Sequence, residues 1–228
     1  MIEMQDVWKT YPNGTKAING ISVQINKGEF VYVVGPSGAG KSTFIKLMYR
    51  EERPTSGHIF VNGFNIERLH NRKIPLLRRS IGVVFQDFKL LHKLTAAENV
   101  AFALEVIATP QKHIRKRVKD ALAWVGLEDK YDKLPSHLSG GEQQRIAVAR
   151  ALVNNPAVII ADEPTGNLDP DTSWDIMKLL QRINDRGTTI VMATHNKEIV
   201  NKLRRRVIAI ENGQIVRDER KGSYEYED

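Results

Sequence analysis

Residues 35–42 constrain the fold of this 228-residue chain more than any other segment. They read Gly-Pro-Ser-Gly-Ala-Gly-Lys-Ser, which matches the phosphate-binding pattern G-x-x-x-x-G-K-[ST]. The continuous apolar run Phe30–Val34 precedes them, and a helical pattern over 44–48 follows. A strand buried on both faces, a glycine-rich turn and a helix, in that order, are typical of a P-loop. The segment therefore predicts an α/β fold with a site for a nucleoside triphosphate.

The residue types in this segment suit phosphate chemistry. Glycines let successive backbone N–H groups approach phosphate oxygens, and the following helix directs its positive end toward them. Lys41 would supply a positive charge to the β- and γ-phosphates, and Ser42 a hydroxyl ligand for Mg²⁺. The expected contacts with the nucleotide are Gly35, Pro36, Ser37, Gly38, Ala39, Gly40, Lys41, Ser42 and Thr43.

A second apolar strand, predicted over 157–161, leads into the adjacent acids Asp162 and Glu163. A carboxylate at the C-terminal end of a parallel strand faces the same crevice as a P-loop. We therefore expect Asp162 on the Mg²⁺ side and Glu163 to polarise the attacking water. Without a P-loop, the commoner interpretation of an Asp-Glu pair is that the two acids simply begin a loop. The presence of a P-loop in this chain disfavours that interpretation.

Turn and alternation signals organise the remaining chain. Residues 1–65 are rich in strand patterns, 88–156 have a helical texture, and β/α alternation returns from Ala157. Thr95 and Glu98 predict a capping box, and Asn212-Gly213 predicts a type I′ hairpin. The expected fold class is α/β, with a P-loop NTPase (RecA-like) core at 1–87 and 157–220. That core includes an N-terminal antiparallel β subdomain, a helical insert occupies 88–156, and a flexible tail occupies 221–228.

Composition excludes several classes of protein. The chain has no cysteine, which excludes a disulfide framework, a Cys-ligated zinc site and a thiol nucleophile. Its first residues do not resemble a secretory signal, and no apolar run reaches the about 20 residues of a membrane span. We therefore expect an intracellular protein that meets a membrane only through a partner or a surface.

The net charge of +7 keeps nucleic acid or an anionic membrane as alternative partners. The basic runs 115–117 and 204–206 are predicted to be solvated helix faces first and contacts with lipid headgroups second. No aromatic stacking surface lies between these charges, so no nucleic acid is expected.

Residues 138–145, Leu-Ser-Gly-Gly-Glu-Gln-Gln-Arg, resemble the signature motif of ABC-type ATPases. The other motifs of that family then follow in order. Gln86 resembles the Q-loop glutamine, 167–169 the D-loop, and His195 the switch histidine, while Tyr11 resembles the aromatic residue that stacks on adenine. The resemblance covers essentially the whole chain, which is identified as a member of this family.

The resemblance implies an ATPase that binds ATP and Mg²⁺ and forms a head-to-tail homodimer, in which the signature of one subunit completes the P-loop site of the other. The implied catalytic residues are Lys41, Gln86, Glu163 and His195, and the implied Mg²⁺ ligands are Ser42, Gln86 and Asp162. Further nucleotide contacts are implied at Tyr11, Ser139, Gly140, Gly141 and Asp169. The family usually has Gln at the position of Glu142, and we expect this carboxylate to turn back into a capping box with Ser139.

Two stretches, 86–91 and 161–169, resemble the ABC ATPases of bacterial cell division. That resemblance implies an integral membrane partner through which ATP-driven closure activates peptidoglycan hydrolases, with the ATPase at the cytoplasmic face of the membrane at the septum. The second stretch is shared with lipoprotein-releasing and macrolide-efflux relatives, so an exporter subunit remains the alternative. An ATP-binding tether without hydrolysis is disfavoured, because every catalytic position is filled.

A partner that couples to the ATPase needs a surface on which to dock. Phe88, Leu90 and Leu91 follow the Q-loop, and we expect them to line the groove that receives the membrane partner. Packing inside the helical subdomain is the alternative for these side chains.

Overall fold

The computed structural model describes residues 1–224 and divides the chain into two units. The first unit joins Met1–Arg78 to the chain from Asn184 onward, and the second unit is Arg79–Ile183. The strands are β1 Ile2–Thr10, β2 Lys16–Ile25, β3 Phe30–Val34, β4 Ser56–Val61, β5 Phe64–Asn65, β6 Ile81–Phe85, β7 Val158–Asp162, β8 Thr189–Ala193, β9 Arg206–Glu211 and β10 Gln214–Glu219. The helices are α1 Lys41–Met48, α2 Ile74–Arg79, α3 Ala96–Glu105, α4 Gln111–Trp124, α5 Gly140–Leu152, α6 Pro170–Asp185 and α7 Lys197–Leu203.

The first unit contains an antiparallel sheet in the order β2-β1-β4-β5. Burial alternates along β1 and β2, so one face of the sheet supplies core residues such as Ile2, Met4 and Ile25. This alternation is the pattern of a sheet that is solvated on one side. The predicted N-terminal antiparallel subdomain is therefore confirmed.

The remaining strands of the first unit lie in the order β10-β9-β3-β8, in which β3 has a neighbour on each side. All five residues of β3 are buried, and it pairs in parallel with both β8 and β9. The turn between β9 and β10 has positive φ at Asn212 (+49°) and Gly213 (+77°), as a type I′ turn requires. Both predictions, the buried strand and the hairpin, are confirmed.

The second unit combines the parallel pair β6 and β7 with helices α3, α4 and α5. Helix α3 begins at the predicted capping box, where Thr95 and Glu98 each accept a hydrogen bond from the other's backbone N–H. Helix α4 begins directly after Pro110, which is its N-cap. Among residues 1–224, we find no helix with the length and apolar character needed to cross a membrane.

The two units divide the chain at other positions than the predicted subdomains, whose boundaries stay a prediction. A helical insert was expected over 88–156, yet β6, β7 and most of α6 belong to the same unit as those helices. Strands β6 and β7 lie on either side of the predicted insert and pair with each other, and the buried Gln144 of α5 donates to the carbonyl of Phe85 at the end of β6. These contacts join the two strands to the helices of the second unit.

The basic runs and the predicted tail are also more structured than expected. Arg206 forms ion pairs with Glu29 and Asp218 at 2.7 Å each, and the Arg117 guanidinium donates to the carbonyl of Val153 at 2.6 Å. These two arginines are therefore structural rather than solvated. Within the expected flexible tail, the carbonyls of residues 223 and 224 accept hydrogen bonds from Arg217 at 2.8 Å, and residues 225–228 lie outside the described part of the chain.

Candidate functional site

The P-loop glycines are held tightly by neighbouring backbone. Gly35 has φ +144° and Gly40 has φ +109°, both outside the range that other residues readily adopt. A Cβ at position 35 would collide with the carbonyl oxygen of Ile210, and a Cβ at position 40 with that of Ala17. These contacts give the glycines a packing role on β9 and β2, in addition to the phosphate-binding role predicted from the sequence.

Helix α1 begins as an anion-binding helix would. Its N-cap, Gly40, offers no side-chain hydrogen bond, and its first turn contains no acidic residue. The first N–H groups of the helix and its positive end are therefore available to a phosphate. The Lys41 ammonium lies back over the loop, where it donates to the carbonyl oxygens of Gly35 at 2.7 Å and Pro36 at 2.9 Å, and Ser42 is exposed.

Two further predicted residues belong to the first unit. The hydroxyls of Tyr11 and Thr43 are 3.1 Å apart, which ties the Tyr11 ring to the first turn of α1. The exposed His195 follows β8, and Thr194 donates its N–H to the carbonyl of Val33 at 3.1 Å. Because β3 and β8 are parallel neighbours, His195 and the P-loop emerge from the same end of adjacent strands.

The second unit brings together Gln86, Asp162 and Glu163. Phe85 pairs with Asp162 in the β6–β7 ladder, so the residues that follow these strands lie side by side. The Gln86 amide donates to the side-chain oxygen of Asn167 at 3.1 Å, and the Asn167 amide donates back to the Gln86 carbonyl at 3.2 Å. This reciprocal pair joins the Q-loop to the D-loop.

Glu163 has a backbone conformation that non-glycine residues rarely adopt. Its φ is +49°, in the left-handed region, and its carbonyl accepts a hydrogen bond from Gly166 at 3.0 Å. The left-handed conformation costs a residue with a side chain about 1–2 kcal/mol. Strain of this kind concentrates at functional sites, where the surrounding structure maintains it.

The signature segment forms the second capping box of this unit. Glu142 accepts from the Ser139 N–H at 2.8 Å, the Ser139 hydroxyl accepts from the Glu142 N–H at 3.2 Å, and Lys130 lies 3.3 Å from the Glu142 carboxylate. The backbone hydrogen bond from Ser139, supported by Lys130, lowers the pKa of Glu142. The expectation that Glu142 turns back into the cap is confirmed. The first N–H groups of a helix can bind an anion, and that role stays a prediction for Ser139, Gly140 and Gly141.

Asp169, an expected nucleotide contact, caps helix α6. Its carboxylate accepts from the Thr172 N–H at 3.0 Å, and hydrogen bonds from Thr172 lower its pKa. The adjacent Leu168 lies close to the signature, since its Cδ2 would be 3.4 Å from a Cβ at Gly140. The D-loop therefore contacts both the Q-loop and the start of α5.

Two residues of α5 that the sequence analysis missed fix the Q-loop. Gln144 is fully buried, and its amide donates to the carbonyls of Phe85 and Pro164. Arg150 donates to the carbonyls of Phe88 at 2.9 Å and Lys89 at 2.6 Å, and desolvation lowers its pKa. The available signal for Gln144 was its place in the apolar stripe that Ala147, Val148 and Ala151 continue, whereas no pattern in the sequence singles out Arg150.

The family model described as ABC transporter matches residues 18–166. The chain belongs to the ABC transporter family. It is 66% identical over 224 residues to the cell division ATP-binding protein FtsE of Bacillus subtilis, with 98% of each chain covered. It is 62% identical over 228 residues to FtsE of Streptococcus pneumoniae, with 100% of this chain and 99% of the relative covered.

A solved structure extends the likeness to three dimensions. A dimeric ATP-binding cassette in a post-hydrolysis state, bound to ADP and phosphate, has a TM-score of 0.85 and 37% identity over 98% of this chain and 100% of that one. The predicted α/β fold with a P-loop NTPase core is thereby confirmed, and the chain is an ATPase subunit of the ABC family that resembles FtsE.

The two capping boxes of this ABC ATPase offer a matched pair of variants. Ser139→Ala and Thr95→Ala each remove one N-cap hydroxyl, and each is expected to lower the free energy of unfolding by about 1 kcal/mol. Only Ser139→Ala should also lower ATP turnover, because Thr95 lies outside the predicted site residues. Urea unfolding and steady-state ATPase assays measure the two effects. An equal loss of turnover in both variants would mean that Ser139 acts only as a helix cap and has no role in ATP hydrolysis.

Proposed function

We propose that the chain is the ATP-hydrolysing subunit of a membrane complex of the FtsE–FtsX kind, acting as a homodimer at the cytoplasmic face of the membrane, at the division septum. Its high identity to proteins named cell division ATP-binding protein FtsE, over nearly the whole chain, carries this proposal. FtsX would be the integral membrane partner that passes closure of the ATPase to peptidoglycan hydrolases outside the cell. An ABC exporter subunit for lipoproteins or macrolides is the competing assignment.

The proposed reaction assigns a role to each motif. The P-loop N–H groups and Lys41 bind the phosphates of ATP, and Tyr11 stacks on adenine. Glu163 withdraws the proton of the attacking water, and Gln86 and His195 respond to the γ-phosphate. The signature residues of one subunit, Ser139, Gly140 and Gly141, complete the phosphate site of the other, with Asp169 of the D-loop next to them. Closure of the dimer then rests on a higher affinity of the closed state for ATP than for ADP.

The oxygen donors of the chain suit Mg²⁺. Ser42, Gln86 and Asp162 offer a hydroxyl, an amide and a carboxylate oxygen, and the Gln86 nitrogen already donates to Asn167, which leaves its oxygen for a cation. Residues 1–224 contain no cluster of three His, Asp or Glu side chains that could hold a metal. Mg²⁺ commonly completes its octahedron with substrate phosphates and water, so this donor set fits Mg·ATP. When bound, the ion neutralises charge on the phosphates.

An exposed apolar surface on the second unit suits a membrane partner. Leu91, Phe102 and Val106 are 38%, 45% and 62% exposed. The buried Asn99 bonds both the N–H and the carbonyl of Leu91, so this loop lies against α3. Phe102 of α3 lies four residues before Val106, the C-cap of the helix, and both are on one face. Leu90, also expected in the groove, is only 5% exposed and belongs to the core. The docking proposal therefore keeps Phe88 and Leu91 and adds Phe102 and Val106.

The test is a partner search. ATP-loaded Glu163→Gln protein serves as bait on detergent-solubilised bacterial membranes, and mass spectrometry identifies the proteins that co-purify. We expect a polytopic protein with a large extracytoplasmic loop, and a loss of its recovery with Leu91→Ala and Phe102→Ala. Leu76→Ala, which alters a leucine of the first unit that is 47% exposed, is the control. Recovery of an exporter permease would replace the cell-division role and leave the ATPase assignment intact.

A further inference from the structure

Helix α4 presents four basic side chains on one face. Lys112, Arg115, Lys116 and Lys119 follow the spacing i, i+3, i+4, i+7, and all four are exposed. The opposite face of the helix is apolar and buried; its residues are Ile114, Val118, Ala121 and Leu122. We refer to the four cations as the α4 basic face.

Three other basic side chains of the second unit have protein partners. Lys130 pairs with Glu142, Arg145 pairs with Asp175, and Arg117, on the same helix, donates to a backbone carbonyl. Within residues 1–224, the α4 basic face has no ion pair and no side-chain hydrogen bond. Its acidic neighbours are Asp120 on the same helix and Glu128 and Asp132, which line a cavity of about 550 Å³ beside Arg115 and Lys119. None of these acids forms an ion pair with the face.

The stability of the helix does not explain this arrangement. Like charges three and four residues apart destabilise a helix, and cations near its N-terminus oppose the helix dipole. Helix α4 has no side-chain cap and no acid in its first turn, whereas α3 and α5 have capping boxes with Glu98 and Glu142. The charges of α4 therefore weaken the helix itself and favour an anionic partner outside the chain.

We propose that the α4 basic face binds the surface of an anionic lipid bilayer. From Lys112 to Lys119 the face extends about 10 Å along the helix, enough to meet several phosphate headgroups. A row of basic side chains matches the negative potential of a cytoplasmic leaflet, which attracts each cation near it. The aromatic residue of α4, Trp124, stacks with Arg182 and is not part of the face, so base stacking with nucleic acid is disfavoured. This inference does not depend on the proposed function.

The experiment is co-sedimentation of the full chain with phosphatidylcholine vesicles that contain phosphatidylglycerol, and with vesicles of phosphatidylcholine alone. We expect binding only to the anionic vesicles, weakened by salt. Glutamine at all four positions keeps helix propensity and should reduce the partition coefficient by about fivefold for each cation removed. The matched control places glutamine at four exposed cations outside α4, at Lys27, Arg72, Lys73 and Arg220. It removes the same net charge and should retain most of the binding.

Three outcomes would overturn the inference. In the first, the four-glutamine variant binds anionic vesicles with the same affinity as the unaltered chain. In the second, the control variant loses as much binding as the four-glutamine variant. The variant could also lose affinity for duplex DNA or RNA while vesicle binding is unchanged, which would make the face a nucleic-acid surface. ATP turnover of both variants should match the unaltered chain, because no residue of the predicted ATPase site is changed. The four-glutamine variant should unfold at the same temperature or slightly above it, because it loses the charge repulsion within α4.

Discussion

Replacing Glu163 by glutamine is expected to lower kcat for ATP hydrolysis by about a hundredfold or more, with ATP affinity nearly unchanged. A positioned general base contributes about 10²- to 10⁴-fold to a rate, and glutamine keeps the shape of the side chain without its basicity. Release of phosphate in single-turnover experiments measures the chemical step, and a fluorescent ATP analogue measures binding. The variant should also accumulate as an ATP-bound dimer in size-exclusion chromatography.

The matched control for this variant is Glu142→Gln, in the same unit. Glutamine can occupy the N3 position of a capping box, so this change should leave turnover within about twofold of the unaltered chain. It removes the ion pair with Lys130 and should also make stability less sensitive to acid. Because folding lowers the pKa of Glu142, its ionised carboxylate stabilises the fold at pH values above the ordinary pKa of a glutamate. That contribution is lost as the pH falls through the lowered pKa. Near-normal turnover in Glu163→Gln would remove Glu163 from the role of base.

Replacing Lys41 by alanine should act on binding itself and raise the Kd for ATP by about ten- to a hundredfold. Hydrogen bonds to a charged group contribute about 1.5–3 kcal/mol each, and Lys41 is the cation held at the P-loop. Isothermal titration with ATP and Mg²⁺ measures the change. The effect on folding should be small, because the lysine bonds only two backbone carbonyls, those of Gly35 and the exposed Pro36.

Lys46→Ala on the same helix is the control for that measurement. Lys46 lies in the last turn of α1 and pairs with Glu51 at 3.2 Å, away from the glycine-rich turn. Its replacement removes one charge and one surface ion pair, which contributes about 1 kcal/mol or less. An equal rise in Kd for both variants would mean that net charge, rather than the position of Lys41, controls nucleotide affinity.

The sequence predicted those features that depend on local chemistry. Phe30–Val34 is an unbroken apolar run and forms a buried strand, Ser139 and Glu142 cap a helix as their spacing requires, and Asn212 adopts the positive φ of a type I′ turn. Each of these depends on residues within a few positions of one another. The family motifs allowed the function to be predicted as well, because their order and spacing can be recognised in the sequence alone.

Features that depend on distant contacts were not predictable in this way. Arg150 is a basic residue on a helix by sequence, yet it fixes the carbonyls of Phe88 and Lys89 some sixty positions earlier. Leu90 and Leu91 are identical neighbours, and only the packed structure shows that the first is buried and the second exposed. The pairing of β6 with β7 across the whole helical segment is another such contact between distant residues.

The close contacts of Gly35 and Gly40 predict which residues of such a chain would be substituted in evolution if its activity were lost. Side chains at these positions collide with the carbonyls of Ile210 and Ala17 whether or not a nucleotide binds, so selection for folding alone would retain both glycines. Lys41 and Glu163 have no comparable steric constraint, and they would be the first to vary. In a homologue that has lost its activity, conserved glycines at these two positions would therefore indicate an intact fold. The lysine and the glutamate would indicate whether the homologue still hydrolyses ATP.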